Sequence, residues 1–330
     1  MNKKSEDNDS KGIKGLVVFK DIKTQQPQQE KFVSLEYVDQ ENKVKIVHKL
    51  EPYGANYLYS LLIVNQSMAP ITEVKIRIRF PDFLALCRSN PPKVIIDSDL
   101  PEENEKQLRI EFDKIEEISQ KQINSFFTPL SLEEKGEIRS YVTFVNNADF
   151  VRALDSEPVE IKFDPISLEP KILPSNEVKN FLKLPGIKRG IKSIGIGTKG
   201  AVDLNYFFYQ VEQTILEQNF QLITKDESNN IGWYFASELV SGDDILIIGQ
   251  INSNKIEWLA ASNNASIIIT VLTNFVNQFS NRLIIDNKID TLDQIFNLEC
   301  EYCGNVLPYF PERCESVECS TCKYEKIVWS

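Results

Sequence analysis

The chain has 330 residues, 42% of them hydrophobic and 26% charged, with a formal net charge of −11. This composition excludes a disordered or fibrous protein, and the length exceeds the roughly 250–300 residues at which a single core stops growing, so at least two domains are expected. The acidic balance weighs against phosphate backbones and anionic lipids as partners, because binding them needs clustered Lys and Arg. No run of about 18 or more apolar residues marks a transmembrane segment.

Residues 1–32 are polar, with Ser5–Ser10 and Gln25–Gln29 bracketing a short apolar piece, Leu16–Phe19. They read as a flexible tail with room for one edge strand. Lys3, Lys4, Asp7 and Asp9 occupy the place where a secretion signal would have its apolar core, so a cytoplasmic location is expected.

From 33 to 164 the apolar residues fall on every second position. Val44 and Ile46 begin the series, then Val74, Ile76, Ile78 and Phe80 alternate with Lys75, Arg77 and Arg79. Leu108, Ile110 and Phe112 follow, then Ile138, Val142 and Phe144, then Val159, Ile161 and Phe163. This is the period of strands with one wet face. Turn residues separate the runs at Asn65–Pro70, Ser89–Pro92 and Asn146–Asn147, and the pattern predicts an immunoglobulin-like antiparallel β-sandwich. His48, the single histidine, lies in phase with Ile46 and Leu50 and reads as a packing residue rather than a base. Cys87 stands in an apolar stretch and reads as a buried thiol.

Pro165, Pro170, Pro174 and Pro185 mark 165–190 as a linker. Residues 191–286 have a different grammar: a strand at Ile191–Ile196, then a helix capped by Asp203 with Leu204, Phe207, Phe208, Val211 and Ile215 on one face. Four strand-like runs follow, at Phe220–Thr224, Gly232–Ser237, Asp244–Ile251 and Lys255–Ala260, and then a second helix carrying Ile268, Leu272, Phe275 and Phe279. Ile267–Thr270 taken alone also fits a strand. The expected unit is an α/β platform, an antiparallel sheet flanked by two helices.

Residues 287–330 hold five of the six cysteines. Cys300-x-x-Cys303 and Cys319-x-x-Cys322 have the spacing of a four-thiolate site for one structural zinc ion in a zinc ribbon, with no position open to water. Cys314 competes with Cys319 for the fourth ligand position but lacks a partner two residues away, and reads as a loop thiol. Catalytic patterns are missing. Gly195–Gly200 departs from phosphate-loop spacing, and the acidic clusters Glu102–Glu105 and Glu133–Glu134 read as solvated. The aromatic residues Trp233, Tyr234 and Trp258 fall on platform strands and are either core or peptide anchors.

Leu61–Ile76, with its strand ending at Asn65, resembles the sandwich of clathrin-adaptor and coatomer appendage domains. Trp233–Phe235 through Asp244–Gly249 to Phe279 is similar to the platform that follows it in β-type adaptin and gamma-coatomer ears. The resemblance implies a platform with a helix on either side and a pocket for short linear peptide motifs. It makes Tyr234 the exposed anchor and Trp233 its buried neighbour, and Trp258, from its own strand, is a further peptide-binding candidate. The family's tryptophan at the platform entrance has no counterpart in Phe181–Pro185, no helical-repeat trunk precedes the sandwich, and the ribbon is an addition. The expected function is therefore a non-enzymatic vesicle-trafficking adaptor that recognises proteins through short peptide motifs. The rival reading is a zinc-ribbon, nucleic-acid-associated factor of transcription type. Six glutamates against Arg313, Lys323 and Lys326 in the ribbon weigh against it.

Overall fold

The alternation read from 44 to 163 becomes ten strands. They are β1 (Val44–Tyr53), β2 (Asn56–Asn65), β3 (Ile71–Pro81), β4 (Leu84–Asn90), β5 (Ile95–Asp97), β6 (Glu105–Ile115), β7 (Ser119–Pro129), β8 (Gly136–Val145), β9 (Val151–Asp155) and β10 (Val159–Ile161). The computed structural model describes residues 43–92, 95–97, 104–132, 134–198 and 203–330. The tail with its Leu16–Phe19 piece lies outside them, as do Glu102, Glu103, Glu133, Lys199 and Gly200.

One antiparallel sheet has the order β1-β2-β7-β4 and the other β10-β8-β3-β6-β5, with β9 also on β8. Tyr59, Leu61, Ile63 and Phe127 of the first pack with Ile76, Ile78, Leu108 and Val142 of the second in one core. Val74, Ile76, Ile78 and Phe80 are buried, as their phase required, while Lys75 and Arg77 are exposed. Asn65 is fully buried and ties its turn: its amide donates to the carbonyls of Ala69 and Glu116, each at 2.9 Å, and its oxygen accepts from the Ser67 hydroxyl at 2.6 Å. His48 lies parallel to Tyr59 with ring centroids 6.1 Å apart, a packing role.

The second part contains β11 (Leu168–Pro170), α1 (Val178–Phe181), β12 (Lys188–Ile196), α2 (Leu204–Leu216), β13 (Gln221–Asp226), β14 (Ile231–Glu238), β15 (Asp244–Asn252), β16 (Lys255–Ser262), α3 (Ala265–Ile285) and β17 (Ile295–Asn297). The antiparallel sheet order is β11-β14-β15-β16-β12-β17, with β13 on the free side of β14. Asp203 caps α2 by accepting from the Tyr206 amide at 3.1 Å, and Asn264 caps α3 through the Ser266 amide at the same distance. Ile267–Thr270 is helical, because the cap at Asn264 starts a 21-residue helix that carries it along.

Two expectations need correction. Both long helices cover the same face: Phe207, Val211 and Ile215 of α2 and Ile268, Phe275 and Phe279 of α3 share one core with Tyr234, Ile247 and Trp258. The two long helices therefore do not flank the sheet as the appendage resemblance implies; among the described residues the opposite face carries only the four-residue α1. Nor is 165–190 a free linker. Leu168–Pro170 pairs with Glu238–Ala236 as an edge of the sheet, a position where proline's missing N–H costs little. Phe181 packs on Phe235, Leu246 and Ala261 on the face away from the long helices.

The sandwich and the platform are fused through α3. Ile269 enters the sandwich core while its neighbour Ile268 enters the platform core, and Ala55 from the β1–β2 turn joins the platform. No helix among the described residues is long and apolar enough to cross a membrane.

Candidate metal centre and sheet face

The C-terminal segment folds around sulfur. Cys300, Cys303, Cys319 and Cys322 place their Sγ atoms within 4.8 Å of one another, with Cys300–Cys322 at 3.6 Å and Cys303–Cys319 at 3.5 Å. A tetrahedron built on bonds of about 2.3 Å has edges near 3.8 Å, so the cluster has the size to hold one metal ion.

Two knuckles repeat the same backbone geometry. The Gly304 amide donates to Cys300 O at 2.9 Å, and the Lys323 amide to Cys319 O at 3.0 Å. The Cys300 and Cys319 amides donate to Asn305 O and Tyr324 O, each at 2.9 Å. Each turn needs a left-handed residue after its second cysteine, supplied by Gly304 (φ +78°) and by Lys323 (φ +64°). The Asn305 amide donates to Cys303 Sγ at 3.5 Å. Burial works against the Cys319 thiolate, yet the amides of Cys322 and Thr321 together with hydrogen bonds from the Cys303 and Cys322 side chains draw the thiol down to about 7. Desolvation and the neighbouring sulfurs hold Cys322 up at about 12. Four such groups ionise together only beside a cation. Cys314 is exposed and outside the cluster, as its isolation in sequence implied.

The ribbon is anchored to the platform. β17 pairs with β12, and the Leu298 amide donates to Ser193 O at 2.9 Å. Phe310 lies directly against Gly195, where any Cβ would enter its ring, and its ring stacks on Phe296 and Trp329 at 5.5 and 5.9 Å. Lys255 reaches across to Leu307 O at 2.7 Å.

The aromatic triad separates. Tyr234 and Trp258 are fully buried under α2 and α3, so neither is presented to a partner; both leave the set of peptide anchors. Trp233, the expected core member, is half-buried on the opposite face. The parity of β14 settles this: Tyr234 shares its face with Ala236 and the helices, and Trp233 shares its face with Phe235.

On that opposite face the strand register aligns Trp233 with Ile248, Ile248 with Leu259 and Leu259 with Ile191. The first three are half-buried and Ile191 is 44% exposed. Phe181 and its neighbours cover the row on one side, and Phe310 stands over the row at Gly195 on the other. Between them lies an apolar strip crossing four strands, or about 14 Å between outer strand axes at about 4.8 Å per strand. Trp233 also lines a pocket of ≈ 530 Å³ with Leu204, Asp226 and Gln250. Hydrogen bonds from Ser228 and Asn229 hold the Asp226 carboxyl below its ordinary range, so the pocket wall is anionic at neutral pH.

A site that the sequence reading passed over is Lys192, which is 8% exposed where sandwich, platform and ribbon meet. The signal was its phase, since Lys192 falls in step with the buried Ile194 and Ile196 on β12.

No known family profile matches the chain, and no curated protein matches it. Among solved structures, it is similar to the major pilin subunit BcpA of Bacillus cereus at 12% identity and TM-score 0.26, with 66% of each chain covered. It is similar to an exo-β-N-acetylglucosaminidase of Vibrio harveyi at 10% identity and TM-score 0.25, over 67% of this chain. The match spans 39% of that glycosidase. A third similarity, at 9% identity and TM-score 0.19, is to the Bacillus subtilis sporulation control protein Spo0M, over 64% of this chain and 75% of that one. Similarities this low carry no functional argument.

Proposed function

We propose that the protein is a non-enzymatic interaction module that captures an extended peptide on the open face of its platform sheet, with Trp233 as the anchor. The observation that carries this reading is the strip Trp233–Ile248–Leu259–Ile191, left uncovered between α1 and the ribbon. An aromatic side chain in a half-covered apolar setting is the usual core of a peptide hot spot. Asp226 beside Trp233, together with the net charge of −11, favours a ligand that sets Lys or Arg next to its apolar residues. The same charge weighs against nucleic acid.

The four cysteines hold one structural zinc ion in this reading, because four thiolates close the coordination shell. The metal fixes the ribbon, and the ribbon carries Phe310, which bounds one side of the strip. The order of sandwich, strand, helix, four strands and helix supports kinship with appendage domains. The packing of both helices on one face departs from it, so the proposal rests on the strip and not on the resemblance.

The test is selection of peptides from a random library on the full chain, followed by affinity measurement with Trp233→Ala. Basic-apolar peptides that lose about 2 kcal/mol or more of binding in the variant support the reading. Peptides that bind both proteins equally would place recognition elsewhere.

A further inference from the structure

Lys192 opens a second question, because a buried ammonium without a counter-ion is costly. Its Nζ donates to Thr128 Oγ1 at 2.9 Å, which leaves two of its three protons without a protein acceptor. Thr128 in turn donates to Asn56 Oδ1 at 2.5 Å. No carboxylate among the described residues stands within ion-pair distance of Lys192. The two nearby candidates are engaged elsewhere: Glu299 with Arg88 at 3.5 Å and with the Asn56 amide at 3.0 Å, and Glu301 with Lys326 at 2.5 Å.

Lys192 lines a cavity of ≈ 340 Å³ whose other walls include Leu86, Ile194, Val276 and Ile295. Asn297 lines it too, and its Oδ1 is buried with no hydrogen-bond partner. The site thus offers the Lys192 ammonium and apolar walls from all three parts of the chain, with the unpartnered Asn297 side chain among its lining residues. Burial pushes the Cys87 thiol up, the Lys192 charge lowers it in part, and Glu299 raises it again; the lysine's field is therefore felt across the cavity.

We propose that this cavity binds a small organic carboxylate with an apolar body and an adjacent N–H. The carboxylate pairs with Lys192, the N–H donates to Asn297 Oδ1, and the apolar body packs on Leu86, Ile194 and Val276. The same chemistry is presented by a free N-acylated amino acid and by the C-terminal residue of a peptide. Occupancy would join sandwich, platform and ribbon through one ligand, independently of the peptide strip.

The experiment is calorimetric and ligand-observed NMR titration of the full chain with N-acetyl-leucine, N-acetyl-leucinamide and the tripeptide acetyl-Ala-Ala-Leu. N-acetyl-leucine is expected to bind, and its amide about tenfold or more weakly, since a charge-assisted hydrogen bond is lost. Lys192→Met is expected to lose that preference, and Trp233→Ala to keep it. If Lys192→Met does not fold, Leu86→Trp, which fills the cavity, is expected to abolish binding with Lys192 in place. Tripeptide binding as tight as that of the free acid assigns the site to a chain terminus, and much weaker binding assigns it to a metabolite. No binding of N-acetyl-leucine by the unaltered chain, equal binding of acid and amide, or an undiminished acid preference in Lys192→Met or Leu86→Trp overturns the proposal.

Discussion

Trp233 and Tyr234 are neighbours on one strand, yet one stands on a half-open face and the other under two helices. The sealed face holds Tyr234, Ile245, Ile247 and Trp258 against α2 and α3. The other is covered at one end by the short α1 and at the other by Phe310 of the ribbon, with Trp233, Ile248 and Leu259 between. Both faces are apolar, so hydrophobicity does not distinguish stability from recognition here. Coverage does: an apolar row that the chain itself leaves partly wet is one that a partner gains free energy by covering.

The largest expected effect falls on the ribbon that bounds the open face. Cys300→Ser combined with Cys303→Ser, or a strong chelator, is expected to remove about one zinc per chain and melt the knuckles, since metal binding of this kind contributes on the order of 10–16 kcal/mol to local folding. Metal analysis should show the loss, and hydrogen exchange should speed up across 298–328 while β1–β16 stay protected. Stoichiometric metal retained by the double variant would remove the four-thiolate assignment. Acidification acts in the same direction, because thiolates that take up protons release the ion.

On the sealed face the decisive residue is Trp258, fully buried against Phe275 and Phe279 at ring-centroid distances of 6.3 and 5.5 Å. Trp258→Ala is expected to cost about 3–5 kcal/mol in denaturant unfolding, the range for deleting a large core side chain. Its indole N–H is buried without a partner, so the loss is packing and not a hydrogen bond. A cost below about 1 kcal/mol would mean that the face is not sealed.

Tyr234→Phe probes the same face more gently. The Tyr234 hydroxyl is also buried without a partner, so its removal is expected to be neutral or to stabilise by up to about 1 kcal/mol. Burial, with a smaller contribution from Glu212, raises its folded pKa above the ordinary 10.0. Below pH 10 the phenol is neutral in both folded and unfolded chains, and the contribution is constant. Above it the unfolded chain ionises first and stability falls. The Phe variant should therefore lose less stability between pH 9 and pH 11, as read by urea unfolding at each pH.

Much of this was legible in the sequence because local rules govern it. The period-two runs gave β3, β6 and β8, Asp203 gave the start of α2, and the paired Cys-x-x-Cys spacing gave the cluster. What was hidden depends on partners distant in sequence. Amphipathic α2 and α3 announce that they cover a face but not which one. Strand parity put Trp233 and Tyr234 on opposite sides without saying which side the helices take. The prolines of 165–190 concealed β11, because Pro170 sits at a sheet edge where its chemistry is tolerated. Lys192 was masked by its charge, although its phase with Ile194 and Ile196 pointed inward.

The smallest effect on stability is expected at Trp233, and it is the one that separates the two faces most cleanly. Its row neighbours Ile248 and Leu259 are themselves half-buried, so Trp233→Ala leaves no enclosed cavity and should cost about 1 kcal/mol or less. Binding should respond in the opposite proportion, with a loss of about 2 kcal/mol or more for peptides that span the strip. Ile191→Ser at the far end should weaken the same peptides less, because a position at the end of the strip stays in reach of water and an isoleucine lacks the aromatic ring that anchors hot spots. A graded loss from Trp233 to Ile191, with melting temperatures nearly unchanged, is the signature of a ligand lying across the strands. If Trp233→Ala instead unfolds the chain as Trp258→Ala does, both faces are core and the strip is no recognition surface.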